Sequence, residues 1–172
     1  MRRRDLLAGA AGAGTVLLGG WAVTSGSLGT GHDPVTLETI DAPGSDAGEI
    51  RVPEPGRVSF LDFFGTWCGP CERQMPALAA AHEAVADSDV QFVSITNEPV
   101  GQTLSREEVA AWWAEHGGAW TVAHDADHRL TERHDVTRLP TAVVLDAENS
   151  VTWSHTGLAD ADELIGAIED AR

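Results

Sequence analysis

The chain has 172 residues, with 11 Lys+Arg against 27 Asp+Glu and a formal net charge of -16 at pH 7; every one of the basic residues is arginine. So acidic a surface repels phosphate backbones and argues against nucleic-acid binding, and with no lysine present it points to a halophilic protein, kept soluble in high salt where surface repulsion is screened. The length allows one domain with a short appendage, and a domain of that size buries a full core without covalent staples.

Arg2, Arg3 and Arg4 precede an uncharged stretch from Leu6 to Ser27 that is rich in Ala, Gly and Leu. A basic start followed by an apolar run is a targeting segment rather than part of a fold. The adjacent arginines followed by Asp5, Leu6 and Leu7 resemble a twin-arginine export signal, and the run is also long enough to span a bilayer. Small residues around Ala22 to Ser27 permit cleavage, but no clean A-x-A site stands there, so residues 1–27 are expected to be either an export signal or a retained membrane anchor. Residues 28–34, rich in Gly and closed by Pro34, read as a flexible linker. The folded domain is expected over 35–172.

The segment containing Pro43, Gly44, Pro53, Pro55 and Gly56 reads as loose chain. Val58 to Phe64, β-branched and aromatic and bounded by turn residues, predicts a buried strand. From Pro70 the pattern turns helical, with Met75, Leu78, Ala79, His82 and Val85 recurring at helical spacing. Val90 to Thr96 predicts a second strand, broken at Asn97, Glu98 and Pro99. Ser105 and Glu108 form a capping box for a helix carrying Val109, Trp112, Trp113 and His116, stopped by Gly117 and Gly118. Adjacent residues on a helix cannot point the same way, so one of Trp112 and Trp113 is expected to pack and the other to lie at the edge. A short strand over Trp120 to Ala123 and a short helix over Asp127 to His134 follow. A hairpin of Ala142 to Asp146 and Val151 to Ser154 leads to a last helix capped by Asp160 and Glu163. Together these give an α/β domain with a central sheet of mixed direction flanked by helices.

Cys68 and Cys71 are the only cysteines. A bridge between them closes a loop too short to restrict the unfolded chain much, which favours chemistry over stapling. The spacing also suits half a zinc site, but two thiolates without further ligands make an incomplete shell, and no histidine pair with ligand spacing belongs to this loop. A strand followed by C-x-x-C opening a helix is the redox arrangement. It places Cys68 at the first turn, exposed, where free backbone N–H groups and the positive end of the helix dipole favour a thiolate. Cys71, one turn further in, is then the buried resolving thiol. Asp62 lies between Leu61 and Phe63 in a strand expected to be covered on both faces, where a carboxylate has a raised pKa and acts as a base. Trp67 beside the thiol offers a contact surface for partners. Glu72 and Arg73 read as a solvated helix face, and His116, His134 and His155 as surface or edge residues.

The motif Trp67-Cys68-Gly69-Pro70-Cys71 resembles the active site of the thioredoxin superfamily, and the match continues outward. Asp62 occupies the position of that family's buried carboxylate, Pro76 that of the proline inside the active-site helix, and Leu139-Pro140-Thr141 resembles the cis-proline loop that packs beside the cysteines and pairs with substrate backbone. The export signal, the linker and the helix-containing insertion before Leu139-Pro140 resemble the membrane-tethered TlpA/ResA-like branch. That branch often carries Asn at the Asp62 position and another residue at Gly69; both departures argue against a strongly oxidising role.

The resemblance implies a thioredoxin-like fold and an extracytoplasmic thiol–disulfide oxidoreductase that reduces disulfides in exported proteins, with cytochrome c and copper-site cysteines as candidate substrates. Its catalytic residues would be Cys68, Cys71, Asp62 and Pro140, its substrate-binding residues Trp67, Gly69, Pro70 and Leu139. The redox disulfide itself would serve in place of any cofactor or metal. A monomer drawing electrons from a membrane donor is the expected form. A peroxidase of the peroxiredoxin type shares the fold but expects neither the vicinal Cys-Gly-Pro-Cys nor Thr66 where it stands. The non-enzymatic alternative is a metallochaperone or protein-docking domain using the same loop.

Overall fold

The structure, a computed structural model, describes residues 31–172. The segment 1–27 read as an export signal or anchor lies outside the described residues. Among the described residues no helix is long and apolar enough to cross a membrane.

In chain order the elements are β1 Val35–Thr39, β2 Gly48–Val52, β3 Val58–Phe64, α1 Gly69–Ala84, β4 Val90–Thr96, α2 Arg106–Glu115, β5 Thr121–His124, α3 Arg129–Arg133, β6 Thr141–Leu145, β7 Val151–Thr156 and α4 Ala161–Asp170. They form one seven-stranded sheet in the order β2-β1-β5-β4-β3-β6-β7. β3, β4 and β5 run parallel, each joined to the next through a helix, as parallel strands require. β6 and β7 add antiparallel on one side and β1 and β2 on the other. This mixed sheet with its helices is the thioredoxin-like α/β architecture, and α2 and β5 form the insertion expected before the Leu139-Pro140 loop.

Every residue of the central strand β3 is buried, so the two faces of the sheet separate by strand alternation. Phe60 and Phe64 join the core that also holds Cys68, Cys71, Met75, Leu78, Trp113 and Leu164, which α1, α2 and α4 cover. Leu61 and Phe63 face the opposite core with Val93, Ile95 and Leu130 of α3. The alternation therefore turns Asp62 toward the α1 face.

α2 begins at the capping box: Ser105 Oγ accepts from the Glu108 N–H at 3.1 Å, and Glu108 accepts from the Ser105 N–H at 2.8 Å. Of the tryptophan pair, Trp113 is fully buried while Trp112 stacks between Phe64 and His116 at the edge. Gly118 is required beneath Trp113, because a Cβ there would lie 2.2 Å from the indole ring.

The stretch before β3 is loose only in part: Pro43 and Gly44 lie in the turn between β1 and β2, and Pro53, Pro55 and Gly56 in the turn before β3, but β2 stands between them. β1 and β2 pair antiparallel from Val35↔Val52 to Thr39↔Gly48, and β1 also pairs with β5. β1 alternates with Val35, Leu37 and Thr39 buried, whereas the edge strand β2 buries only Val52, with Ile50 half-buried. An edge strand with only two apolar positions offers too short a period to stand out, and its Gly and Pro neighbours read as turns.

Candidate active site

The site lies where β3 ends. Cys68 caps the N-terminus of α1, and its Sγ accepts from the Cys71 N–H at 3.2 Å. Pro70 at the helix start supplies the pre-set φ of the first turn. Cys68 and Cys71 are joined in a disulfide with their Cα atoms 5.2 Å apart. Pro76 lies within α1, where it has no N–H to give to the carbonyl of Glu72.

One expectation is overturned here: Cys68 is not exposed, but only 3% accessible, and Cys71 1%. Bonded to Cys71 and capping the helix, its sulfur turns into the core. Trp67 takes the solvent position instead, at 74% exposure. Gly69 is half-buried and Pro70 exposed.

The loop that presents the disulfide is held by a buried acid. Glu98, just past β4, accepts from the Thr66 N–H at 2.7 Å, from the Thr66 hydroxyl at 2.8 Å and from the Thr96 hydroxyl at 3.1 Å. Beside this loop the Leu139–Pro140 peptide bond is cis. The register Phe63↔Thr141 sets Pro140 against the end of β3, where the Gly65–Trp67 loop leaves the sheet. Leu139 reaches that loop: a Cβ built on Gly65 would meet Leu139 Cδ1 at 3.3 Å and Trp67 Nε1 at 3.0 Å. Trp67, Asn97, Val136, Thr137, Arg138 and Leu139 line a shallow groove there.

Two further bonds brace this end of the molecule. The Gly157 N–H donates to the Pro140 carbonyl at 2.9 Å. Gln74, buried on α1, donates to the Ala159 carbonyl at 2.9 Å and accepts from the Ala159 N–H at 3.0 Å.

Asp62 is 1% exposed. Burial pushes its carboxyl up to about 7, offset in part by the Ser94 hydroxyl, which donates to Oδ2 at 2.8 Å. Ser94 sits directly opposite Asp62 in the β3–β4 register. Its own oxygen accepts from the Trp120 indole N–H at 3.0 Å.

The fold thus gathers Trp67, Cys68, Gly69, Pro70 and Cys71 with Leu139 and Pro140 at one end of the sheet, and Asp62 on the same face of β3 as α1. Glu98, Ser94, Trp120 and Gln74 escaped the sequence reading. Only Ser94 left a usable signal, as the polar residue of β4 that falls opposite Asp62 once the two strands are aligned in parallel. His116, His134 and His155 are all half-buried, stacked or packed against Trp112, against Phe63 and His32, and against Trp153 respectively.

A domain with a dithiol pair at the start of a helix and a cis-proline beside it is a thioredoxin-fold redox domain, and the chain belongs to the Redoxin family, whose model matches residues 39–167. It is 30% identical over 102 residues to the thiol-disulfide oxidoreductase ResA of Bacillus subtilis, covering 59% of this chain and 54% of that protein. The chain spans between 54% and 64% of the length of the first curated relatives it matches. Its fold is similar to the crystal structure of StoA from Bacillus subtilis, with a TM-score of 0.65 at 18% identity over 78% of this chain and 96% of that one. It is similar too to a secreted Mycobacterium tuberculosis disulfide oxidoreductase, with a TM-score of 0.61 at 22% identity over 77% of this chain and 94% of the other.

Proposed function

We propose that the protein is an extracytoplasmic thiol–disulfide oxidoreductase that reduces disulfides in exported proteins through Cys68 and Cys71. The observation that carries this reading is the Cys68–Cys71 disulfide, with Cys68 Sγ at the N-terminus of α1 accepting from the Cys71 N–H. After two-electron reduction, that N–H and the helix dipole stabilise a thiolate on Cys68. The Cys68 thiolate attacks a substrate disulfide, forming a mixed disulfide and releasing one substrate thiolate. Cys71 then gives its proton to the Asp62 carboxylate and attacks Cys68 Sγ. The second substrate thiolate leaves and the Cys68–Cys71 disulfide is restored. Electrons return from a membrane dithiol donor.

Asp62 suits the proton transfer because its carboxyl, pushed up to about 7, exchanges protons near neutrality. Pro140 has no N–H and its carbonyl accepts from Gly157, so the backbone that pairs with an extended substrate is that of Leu139. Trp67, Gly69 and Pro70 supply the contact surface around the sulfur. The basic and apolar N-terminal segment and the secreted relative support a location outside the cytoplasm, and the acidity of the chain supports work in high salt. Apocytochrome c and copper-site cysteines are the substrates we favour.

The test is turnover of a model protein disulfide by the full-length chain with dithiothreitol as electron source. Wild type should accelerate it, Cys68→Ala should abolish the acceleration, and Cys71→Ser should accumulate a mixed disulfide that resists release. Tight stoichiometric copper binding without any disulfide reduction would instead make the domain a metallochaperone and overturn the assignment.

A further inference from the structure

We propose that Trp120 and Ser94 act as a positioning pair that aims a single hydroxyl proton at Asp62 Oδ2 and leaves Oδ1 as the oxygen that exchanges protons with Cys71. The inference rests on Asp62 being the proton acceptor in the function proposed above. It goes beyond that function because neither residue belongs to the cysteine motif or the cis-proline loop.

The direction of the chain is fixed by donor chemistry. An indole N–H only donates, and a serine hydroxyl carries one proton with two acceptor lone pairs. Trp120 Nε1 lies 3.0 Å from Ser94 Oγ, so the serine accepts there, and its one proton is free for Asp62 Oδ2 at 2.8 Å. Ser94 is fully buried and Trp120 is 2% exposed, so water does not compete for these bonds.

The geometry is also rigid. Ser94 is held opposite Asp62 by the ladder between β3 and β4. The Trp120 ring is wedged edge-on against Trp113 at 4.9 Å and Phe92 at 5.5 Å between ring centres. A protonated Asp62 keeps Oδ2 as acceptor, so the Ser94 bond survives in both protonation states and the labile proton belongs on Oδ1.

Few other titratable groups face Asp62 across this core. α1 supplies Cys68, Cys71 and His82, the last against the Trp120 ring at 5.4 Å. β6 presents Ala142 and Val144, α2 Val109 and Trp113, and α4 Leu164, Ala167 and Ile168. Glu98 lies past the end of β4 and is taken up by Thr66 and Thr96.

The experiment follows the Asp62 side-chain carboxyl by 13C NMR across pH in the oxidised full-length protein, beside the pH–rate profile for reduction of its disulfide by dithiothreitol. Ser94→Ala should move the Asp62 midpoint upward by about one pH unit, because the bond that is lost is stronger to the ionised carboxylate than to the acid. Trp120→Phe keeps the ring packing and should produce a smaller upward shift, and Ser94→Thr should stay near wild type. Unchanged midpoints in Ser94→Ala and Trp120→Phe, with only thermal stability reduced, would show a merely structural pair and overturn the proposal. Midpoints that move while the rate profiles stay fixed would leave the hydrogen-bonded pair standing but overturn its part in proton exchange with Cys71, the failure then lying with Asp62 as proton acceptor.

Discussion

Thr66 and Glu98 are joined twice: the Thr66 N–H and hydroxyl donate to the two oxygens of one Glu98 carboxylate, at 2.7 and 2.8 Å. Glu98 is 9% exposed, and the remaining hydrogen bond to its carboxylate comes from the Thr96 hydroxyl. The acid thus fixes the residue two before Cys68 to the end of β4. Glu98→Ala leaves the Thr66 N–H without its partner, which should lower the unfolding free energy by about 1–3 kcal/mol. Glu98→Gln, which retains one acceptor oxygen, should lose less. Urea unfolding of the oxidised variants checks the order; no loss in Glu98→Ala would mean that the clamp carries no energy.

Gln74 does the same for the far side of the site, pairing with both backbone groups of Ala159 from α1. Two residues earlier in that loop, the Gly157 N–H holds the Pro140 carbonyl. Gln74→Leu keeps the volume roughly but orphans two buried backbone groups, so a loss of about 2 kcal/mol or more is expected. Amide hydrogen exchange should quicken at Gly157 and Ala159 before it quickens in β3. Uniform quickening throughout the sheet would show that Gln74 does not brace this loop locally.

Much of this arrangement is legible in the chain, and the exceptions share a cause. β3, β4, α1 and the capped helices α2 and α4 announce themselves because continuous β-branched and aromatic runs, helical spacing and end-capping are local patterns. β2 does not, since the alternation of Glu49, Ile50, Arg51 and Val52 spans only two apolar positions between Gly and Pro neighbours that read as turns. Cys68, Cys71 and Pro140 stand out through fixed spacing, but Glu98, Gln74 and Ser94 act across 32 or 85 positions of sequence. A polar residue in a strand or after a breaker looks the same whether its partner is water or a buried hydroxyl. Even the burial of Cys68 departs from what its place at a helix terminus predicts, because helix-terminus chemistry sets its acidity while the disulfide sets its burial.

Trp67 is the largest exposed apolar side chain of the site, at 74% accessibility. Removing a ring that buries so little costs the fold little, so Trp67→Ala should change stability by about 0.5 kcal/mol or less. Its effect belongs to docking: KM for a protein disulfide should rise several-fold while reduction of the enzyme by dithiothreitol stays near wild type. An unchanged KM would remove Trp67 from the contact surface.

His134 contributes an acid-side weakness. Burial, and then the nearby charges of His32 and Arg133, lower it to about 4 against Asp125 and Asp135, and its Nε2 is buried without a partner. A histidine lowered in the folded state stabilises fully above its ordinary value of 6.5, and that stability is lost as pH falls from there toward 4. His134→Phe keeps an aromatic ring against Phe63 and His32, while abolishing the titration and the unpaired nitrogen. Thermal midpoints recorded for both proteins should diverge as pH falls from 6.5 to 4, in favour of the variant. Parallel curves would mean that the imidazole ionises freely in the fold.

Asp62 acts with the opposite sign. Its folded pKa of about 7 exceeds the ordinary 3.8, so between those values the native protein holds a proton that the unfolded chain releases. The contribution is complete below pH 3.8, declines as pH rises toward 7 and is gone above it. Integrated over the window the decline amounts to roughly 4 kcal/mol. Asp62→Asn removes the ionisation while retaining an oxygen that can accept from Ser94. Its stability advantage over wild type should therefore be small near pH 4, grow through pH 5 and 6, and level off above about 7. Denaturant midpoints at each pH, compared pairwise so that His134 cancels, measure that advantage. A difference independent of pH would place the carboxyl near its ordinary value and deny Asp62 the near-neutral exchange that the resolving step needs.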